Sequence, residues 1–473
     1  MRNTKVVATL GPASDTPEVI REMIESGVDV FRLNASHGSP EGHAERARRV
    51  REVSSAMGRE AGLLFDLQGP KIRLGRFEGG GCVLATGSRF IITTEDVPGN
   101  AARASTGYAD LARDVKRGDR ILLADGSVEL RALSTDGVSV ITEVISGGPI
   151  GDRKGINLPG VNVSSPALTT KDESDMEAAL AADVDLVALS FVRSADDVRR
   201  LREFLKDRGS DLPIVAKIEK PEAWENLDAI LAEANGVMVA RGDLGVEMAL
   251  EKVPFIQKSI IERARMRGRY VITATQMLES MIENPYPTRA EVSDVANAIY
   301  DGTDAIMLSA ETAIGKHPLE AVRMMARVAA EADFEVTGGR FADPPHGPKP
   351  TDAEMVADAA HHAARSASVS AIAVFTNSGF SARLVSRYRP DVPIYAFTPH
   401  LSVARRLAPV YGVRSILAPE APSTDAMLAL MDAELVDRGL AKPGDGVVFV
   451  AGQPIGRSGT TNLMKLHRIG GLS

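Results

Sequence analysis

Eight short apolar runs, each rich in Val, Ile and Leu, recur along the first part of this chain. They are Lys5–Gly11, Val28–Ser36, Gly62–Gly69, Val184–Val192, Pro213–Glu219, Gly236–Asp243, Arg269–Leu278 and Asp304–Thr312. Near-continuous hydrophobic runs suit strands buried on both faces, as in a parallel sheet. Most are followed by a segment with helical spacing, such as Thr16–Ser26, Gly42–Met57, Ala195–Asp207 and Pro318–Ala332. Strand and helix alternating eight times predict an α/β fold, a (β/α)8 barrel of the TIM type. The pattern alone also admits an open doubly wound sheet, but eight units is the barrel's number.

Two intervals break the rhythm. After the third run, the next strand of a βα repeat belongs within about 30 residues, yet residues 72–168 intervene, rich in Gly, Thr and Ser. They hold short β-like pieces at Arg89–Thr94, Asp119–Leu123, Val128–Ala132 and Val138–Val144, separated by turn signals such as GGG, PGN and ADG. We expect an all-β domain inserted into a barrel loop, placed to act as a lid. The second break is the Pro- and Gly-crowded stretch Gly338–Thr351, read as a linker. Beyond it a fresh α/β pattern begins: helix Asp352–Ser368, strand Ala371–Thr376, helix Ser381–Tyr388, and strands Ile394–Phe397 and Gly446–Ala451. The expected domains are therefore a barrel (1–71 and 169–340), a β lid (72–168) and a C-terminal α/β domain (351–473). Gly456–Asn462 reads as a polar loop.

A formal charge of −8 argues against a nucleic-acid protein, since phosphate neutralisation needs clustered Lys and Arg. No apolar stretch reaches 18 residues and the N-terminus lacks a signal-peptide pattern, so no membrane span or export is expected. The lone cysteine, Cys82, cannot form an internal disulfide, which fits a cytoplasmic protein.

Barrel enzymes work at the C-terminal ends of their strands. The second run ends Arg32-Leu33-Asn34-Ala35-Ser36-His37, and strand alternation puts Arg32, Asn34 and Ser36 on one face. A cation and two neutral oxygen-bearing groups pointing into a barrel are costly unless a ligand, an ion or a structural network satisfies them. Near its end the third run carries Asp66, and the chain continues as Leu67-Gln68-Gly69-Pro70-Lys71-Ile72-Arg73. The fifth supplies Lys217 and Glu219 on one face, an ion pair or an electrophile beside a metal ligand. The sixth ends Arg241-Gly242-Asp243-Leu244-Gly245, adding a second carboxylate and free turn N–H groups. Two carboxylates with waters and substrate oxygens is how Mg²⁺ is usually held. Thr275 lies near the end of the seventh run and Ser309 near the end of the eighth, while Met277, Leu278 and Met281 read as core. The set suits a phosphorylated, carboxylated small molecule bound with a divalent cation. No Walker A motif or kinase Gly-rich loop is present.

At these residues the chain resembles the pyruvate kinase family. The matching stretches include TKVVATLGPAS (4–14), VDVFRLNASHG (28–38), DLQGPKIR (66–73), KGINLPG (154–160), AKIEKPEAWENLD (216–228), GVMVARGDLGVE (236–247) and the long run ATQMLESMIENPYPTRAEVSDVANAIYDGTDAIMLSAET (274–312). The resemblance implies transfer of the phosphoryl group of phosphoenolpyruvate to ADP, giving pyruvate and ATP, the last step of glycolysis. It implies Lys217 over the transferring phosphoryl group and the enolate oxygen, with Glu219 and Asp243 on Mg²⁺ (or Mn²⁺). The N–H groups of Gly242 and Asp243 and the Thr275 hydroxyl would hold the substrate carboxylate, and Arg32 the phosphate. Arg73, Lys154, His37 and Asn34 would serve the nucleotide side, and Thr275 and Ser309 the proton-delivering network. A homotetramer is implied as well.

Three features depart from the common family pattern. K⁺ in this family is held by the equivalents of Asn34, Ser36, Asp66 and the Leu67 carbonyl. K⁺-requiring members carry Glu where this chain has Lys71, so K⁺ is expected to be dispensable. The C-domain loop Thr376-Asn377-Ser378-Gly379-Phe380-Ser381 resembles an effector phosphate loop, with Phe380 where Arg is common. A monophosphate effector, AMP or a sugar phosphate, is expected at Thr376, Ser378, Gly379 and Ser381. The chain also opens on its first barrel strand, so no N-terminal extension is expected. The competing readings are a phosphoenolpyruvate- or pyruvate-using barrel lyase and a catalytically silent metabolite sensor. The first explains neither the insert nor Arg73 and Lys154; the second does not explain so costly a set of inward polar groups.

Overall fold

The eight apolar runs form eight parallel strands of one closed barrel: Lys5–Thr9, Val30–Asn34, Gly62–Asp66, Leu186–Leu189, Ile214–Ile218, Gly236–Ala240, Tyr270–Ala274 and Ala305–Leu308. They pair in chain order, and the first closes on the eighth in the register Lys5 to Ala305. The computed structural model describes residues 2–336, 341, 343–344, 349–455 and 459–471. Each observed strand is shorter than the run that predicted it, because the runs carry on into the C-terminal loops that build the site.

Helix boundaries follow local chemistry. The first helix, Pro17–Ser26, has Thr16 accepting from the Val19 N–H and ends on Gly27 at φ 115°, a left-handed turn that suits glycine. Capping boxes start helices Thr170–Ala181, Arg289–Tyr300 and Asp352–Ser366. The first of these also serves the active end: the capping Asp172 accepts from the Gly69 N–H at 3.0 Å, anchoring the loop after the third strand.

The insert is all-β. A six-stranded sheet runs in the order Ile156–Asn157, Arg120–Leu123, Val128–Thr135, Ser139–Ser146, Arg89–Thr93, Arg103–Ser105, beside a two-stranded pair of Gly81–Leu84 and Gly148–Gly151. Its core, including Phe77, Phe90, Ile92, Leu123 and Leu130, is separate from the barrel's. The C-terminal sheet orders Val413–Leu417, Ile394–Thr398, Ala371–Phe375, Gly446–Gly452 and Thr461–Arg468, the last antiparallel. It packs against the N-terminal end of the barrel. There Asp304 accepts from Arg389 at 2.9 Å, and Lys5 Nζ donates to the Val413 carbonyl at 2.6 Å. Residue 337 and parts of the predicted linker (338–340, 342 and 345–348) and of the predicted polar loop (456–458) lie outside the described residues. Among the described residues no helix is long and apolar enough to cross a membrane.

Candidate active site

The C-terminal strand ends open on one face of the barrel, and the insert leaves from the loop after the third strand to lie against that face. Asn157 of the insert donates to Glu247 at 3.0 Å, and Lys220 reaches the same carboxylate oxygen at 2.7 Å. Arg193 donates to the Val163 and Ser165 carbonyls from the barrel side.

At the centre of the face is Lys217, on the fifth strand. Its ammonium lies 3.0 Å from Glu219 and 3.2 Å from Asp66, and donates to the Ser190 hydroxyl at 2.7 Å. Asp66 accepts from Arg32 Nε at 2.7 Å, so one buried carboxylate holds two cations. Burial works against the charge on Lys217, but Asp66 and Glu219 more than compensate and hold its pKa above the ordinary lysine value. It is therefore a fixed positive charge at neutral pH. Burial would likewise raise Asp66, but Lys217 and Arg32 hold its carboxyl below the usual value. Glu219 goes the other way: burial and the nearby Asp243 push it up against the pull of Lys217. Glu219 and Asp243 thus form a pair of carboxylate donors, one of them buried, of the kind that a divalent cation would satisfy. Among the described residues no group of three or more His, Cys, Asp or Glu forms a fuller metal cage.

The structure corrects several strand-based placements. Ser36 does not share a strand face with Arg32, because the second strand ends at Asn34; its N–H instead donates to the Asn34 side chain at 3.1 Å. Asp243 is not on a strand either. It sits in the first turn of helix Arg241–Glu247, beside Gly242. Thr275 lies past the seventh strand at φ 74°, with Gln276 at φ 57°, a strained pair for non-glycine residues. Arg241 grips this turn, donating to the Thr275 carbonyl at 2.7 Å and to those of Ala274 and Gln276 at 3.3 Å, while pairing with Asp294. Ser309 precedes the short helix Ala310–Ala313, its N–H held by Glu311 at 2.7 Å. Among the described residues no hydrogen bond joins the Thr275 and Ser309 hydroxyls. His37 is exposed, two residues before Ser39, which caps the following helix.

Two family models match. One, described as the pyruvate kinase barrel domain, covers residues 1–322, and one described as the pyruvate kinase alpha/beta domain covers 354–467. The chain belongs to the pyruvate kinase family. It is 47% identical to a pyruvate kinase of Mycobacterium tuberculosis over 99% of both chains, and 45% identical to one of Corynebacterium glutamicum over 99% of this chain and 98% of the relative. A crystal structure of a pyruvate kinase from Cryptosporidium parvum superposes with a TM-score of 0.91 at 35% identity, covering 99% of this chain and 96% of that one. The chain is accordingly a phosphotransferase that acts between phosphoenolpyruvate and ADP.

With the pyruvate kinase family established, the remaining expected site residues fall into three groups. On the insert side, Arg73 bridges antiparallel to Gly155, next to Lys154, and donates to the Arg153 carbonyl at 3.2 Å. The His37 imidazole, though exposed over most of its surface, is held below its ordinary pKa by partial desolvation and by the charges of Arg73, Arg32 and Lys71. Lys71 makes its ion pair with Asp243, at 3.9 Å. The Leu67 carbonyl accepts the Ser190 hydroxyl at 2.7 Å. At the C-domain loop, Thr376 accepts from the Gly379 N–H at 3.0 Å and Ser381 bonds Thr461. Thr376, Ser378 and Ser381, with Phe397, Pro419 and Met427, line a solvent-open cavity of about 710 Å³.

Sequence reasoning missed Ser190 and Arg241. Ser190 follows the fourth strand, in an apolar run that reads as plain core, and the only signal was a lone hydroxyl at a strand's C-terminal end. Arg241 stands in the quoted RGD turn, but nothing local shows that it reaches across to the next loop.

Proposed function

We propose that this chain divides phosphoryl transfer from phosphoenolpyruvate to ADP among its rim residues as follows. Lys217 lies over the transferring phosphoryl group and the enolate oxygen, and Arg32 holds the phosphate. Asp66 orients both cations. The N–H groups of Gly242 and Asp243, with the Thr275 hydroxyl, receive the substrate carboxylate. Thr275 and Ser309 hold the proton path to the enolate carbon. Arg73 and Lys154, with His37 and Asn34, face the nucleotide. Glu219 and Asp243 are the residues that hold Mg²⁺ or Mn²⁺, whose bound charge would neutralise substrate oxygens. The insert closes over the mouth and excludes water, which favours transfer over hydrolysis.

The observation that carries this reading is the Lys217 ammonium, kept charged and within 3.2 Å of two carboxylates at the barrel mouth. Phosphoryl transfer needs positioning and charge neutralisation more than covalent chemistry, and a fixed buried cation supplies both.

K⁺ is dispensable in this proposal. Asp66 is neutralised by Arg32 and Lys217, the Leu67 carbonyl is capped by Ser190, and Lys71 adds a cation at the same mouth. The cavity at Thr376, Ser378, Gly379 and Ser381 takes a monophosphate effector such as AMP or a sugar phosphate. The protein works in the cytoplasm as a homotetramer. The test is pyruvate formation from phosphoenolpyruvate, ADP and Mg²⁺, with and without K⁺, for wild type and Lys217→Met. Turnover in both salts and a loss of at least about a hundredfold in the variant are expected. Activity only with K⁺ refutes the cation reading, and an unimpaired Lys217→Met refutes the site.

A further inference from the structure

The insert and the barrel have separate hydrophobic cores, so how one sits on the other depends on the contacts between them. Among the described residues, one hydrogen bond joins a side chain of the insert's sheets to a side chain of the barrel: Asn157 Nδ2 donates to Glu247 Oε1 at 3.0 Å. Arg193 also donates to the insert, but to the Val163 and Ser165 carbonyls, beyond its last strand. Around Asn157 the insert and the barrel leave an open crevice, lined by Lys71, Phe191 and Arg193 as well as by Asn157, Lys220 and Glu247. The insert is located at this edge by Asn157 and Glu247 more than by close packing.

Glu247 is costly to keep. It is 6% exposed, and Asn157 is 7% exposed. Its two donors, Lys220 Nζ at 2.7 Å and Asn157, converge on Oε1, while Oε2 is buried without a hydrogen-bond partner. A buried carboxylate oxygen left unpaired carries a desolvation penalty. A buried ion pair such as Glu247 with Lys220 adds little net stability over an apolar pair of similar volume. Stability alone therefore gives no reason for this carboxylate, but its connections do. Glu247 ends the helix whose first turn holds Gly242 and Asp243. Lys220 follows Glu219 directly in the chain. Asn157 lies in strand Ile156–Asn157, just after Lys154 and Gly155, where the Leu74 N–H donates to the Lys154 carbonyl at 2.8 Å and Gly155 bridges Arg73. One carboxylate thus joins the two elements that bear Glu219 and Asp243 to the strand that follows Lys154.

We propose that Glu247 is a positioning residue for phosphoryl transfer: it couples the placement of the insert, through Asn157, to the placement of Glu219 and Asp243, through Lys220 and its own helix. The role rests on the proposed assignment of those two carboxylates to the divalent cation. Coupling of this kind is reciprocal. If the tie to the insert favours the arrangement that accepts the cation, a bound cation favours that placement of the insert by the same factor, and ADP then meets Lys154 and Arg73 already in place.

The test is calorimetric titration of the full chain with Mn²⁺, without substrates, for wild type, Glu219→Gln, Asn157→Ala, Glu247→Ala and the Asn157→Ala/Glu247→Ala pair. Asn157 belongs to the insert and is no ligand of the proposed cation site, so a role confined to folding of the insert leaves Mn²⁺ affinity unchanged. We expect Asn157→Ala to weaken Mn²⁺ binding by at least about fivefold, the lower end of ordinary coupling between sites. At saturating Mg²⁺ the same variant should raise the KM for ADP by a similar factor and that for phosphoenolpyruvate by less than about twofold. Glu247→Ala should also weaken Mn²⁺, and adding Asn157→Ala to it should change the affinity by less than about twofold, because Asn157 acts through Glu247. Should Glu247→Ala fail to fold, the Asn157→Ala result decides alone. If Glu219→Gln binds Mn²⁺ as wild type does, the cation assignment fails and the coupling role falls with it. If Glu219→Gln loses Mn²⁺ binding while Asn157→Ala keeps wild-type affinity, the cation assignment stands and the role of Glu247 is overturned. Additive losses in the double variant, or an equal rise in both KM values, overturn it as well.

Discussion

Gly242→Ala tests the geometry of the carboxylate pocket. A Cβ at this position would lie 2.7 Å from Thr275 Cγ2, where ordinary contact begins at 3.4 Å. One partner must therefore move by about 0.7 Å, the difference between those distances. Neither has slack. Gly242 is in the first turn of a helix, and Thr275 is held at φ 74° by the grip of Arg241 on its carbonyl. The displaced group is the threonine whose hydroxyl faces substrate in the proposed mechanism. A misplacement near 1 Å costs on the order of 10²-fold, so kcat/KM should fall by about 10- to 100-fold in a coupled pyruvate assay. Thr275→Ser removes the colliding methyl and keeps the hydroxyl. The double variant should return to within about threefold of Thr275→Ser alone, as expected when two effects share one contact. Wild-type kcat/KM in Gly242→Ala, or a deficit that Thr275→Ser does not relieve, would refute the reasoning.

Ser190→Ala removes a hydroxyl that accepts from Lys217 and donates to the Leu67 carbonyl, both at 2.7 Å. A hydrogen bond to a charged group contributes about 1.5–3 kcal/mol, so denaturant titration should show a loss of that size together with a lower kcat; a change in neither would remove Ser190 from the site. Lys5 is buried where the barrel meets the C-terminal sheet, and burial, partly offset by Asp29, lowers its pKa from 10.5 to about 8. Between those values the unfolded chain binds the proton that the folded chain has lost. Stability from this group therefore rises with pH across that window, by at most about 3 kcal/mol at ~1.36 kcal/mol per unit. The stability of wild type relative to Lys5→Met should climb between pH 8 and 10.5, and parallel profiles would discard the buried-charge account.

Much of the fold was legible because barrel strands announce themselves locally. A strand such as Ile214–Ile218, buried on both faces, must be apolar nearly throughout, so its signal lies in consecutive residues. The pieces missed carry no such signal. Arg103–Ser105 and Ile156–Asn157 are edge strands of two or three residues, specified by their partners. Helix Thr424–Asp437 buries Met427, Leu428, Met431 and Leu435 but has apolar residues around its circumference, which blurs the helical period. In the site, Arg32, Lys217 and Glu219 stood out as costly polar groups in apolar runs, whereas Ser190 looked like one more small residue.

The sequence alone determined the eight repeating units, the insert, the C-terminal α/β pattern and the polar residues collected at one rim, because periodicity and misplaced charge record each residue's own burial. Only the tertiary structure decided which of those residues meet. It closed the first strand on the eighth, set Asp66 between Arg32 and Lys217, turned Arg241 onto the Thr275 loop, and brought Asn157 and Lys220 onto Glu247. Such contacts join segments far apart in the chain. They depend on register, helix packing and domain docking, and none of these leaves a trace in the spacing of neighbouring residues.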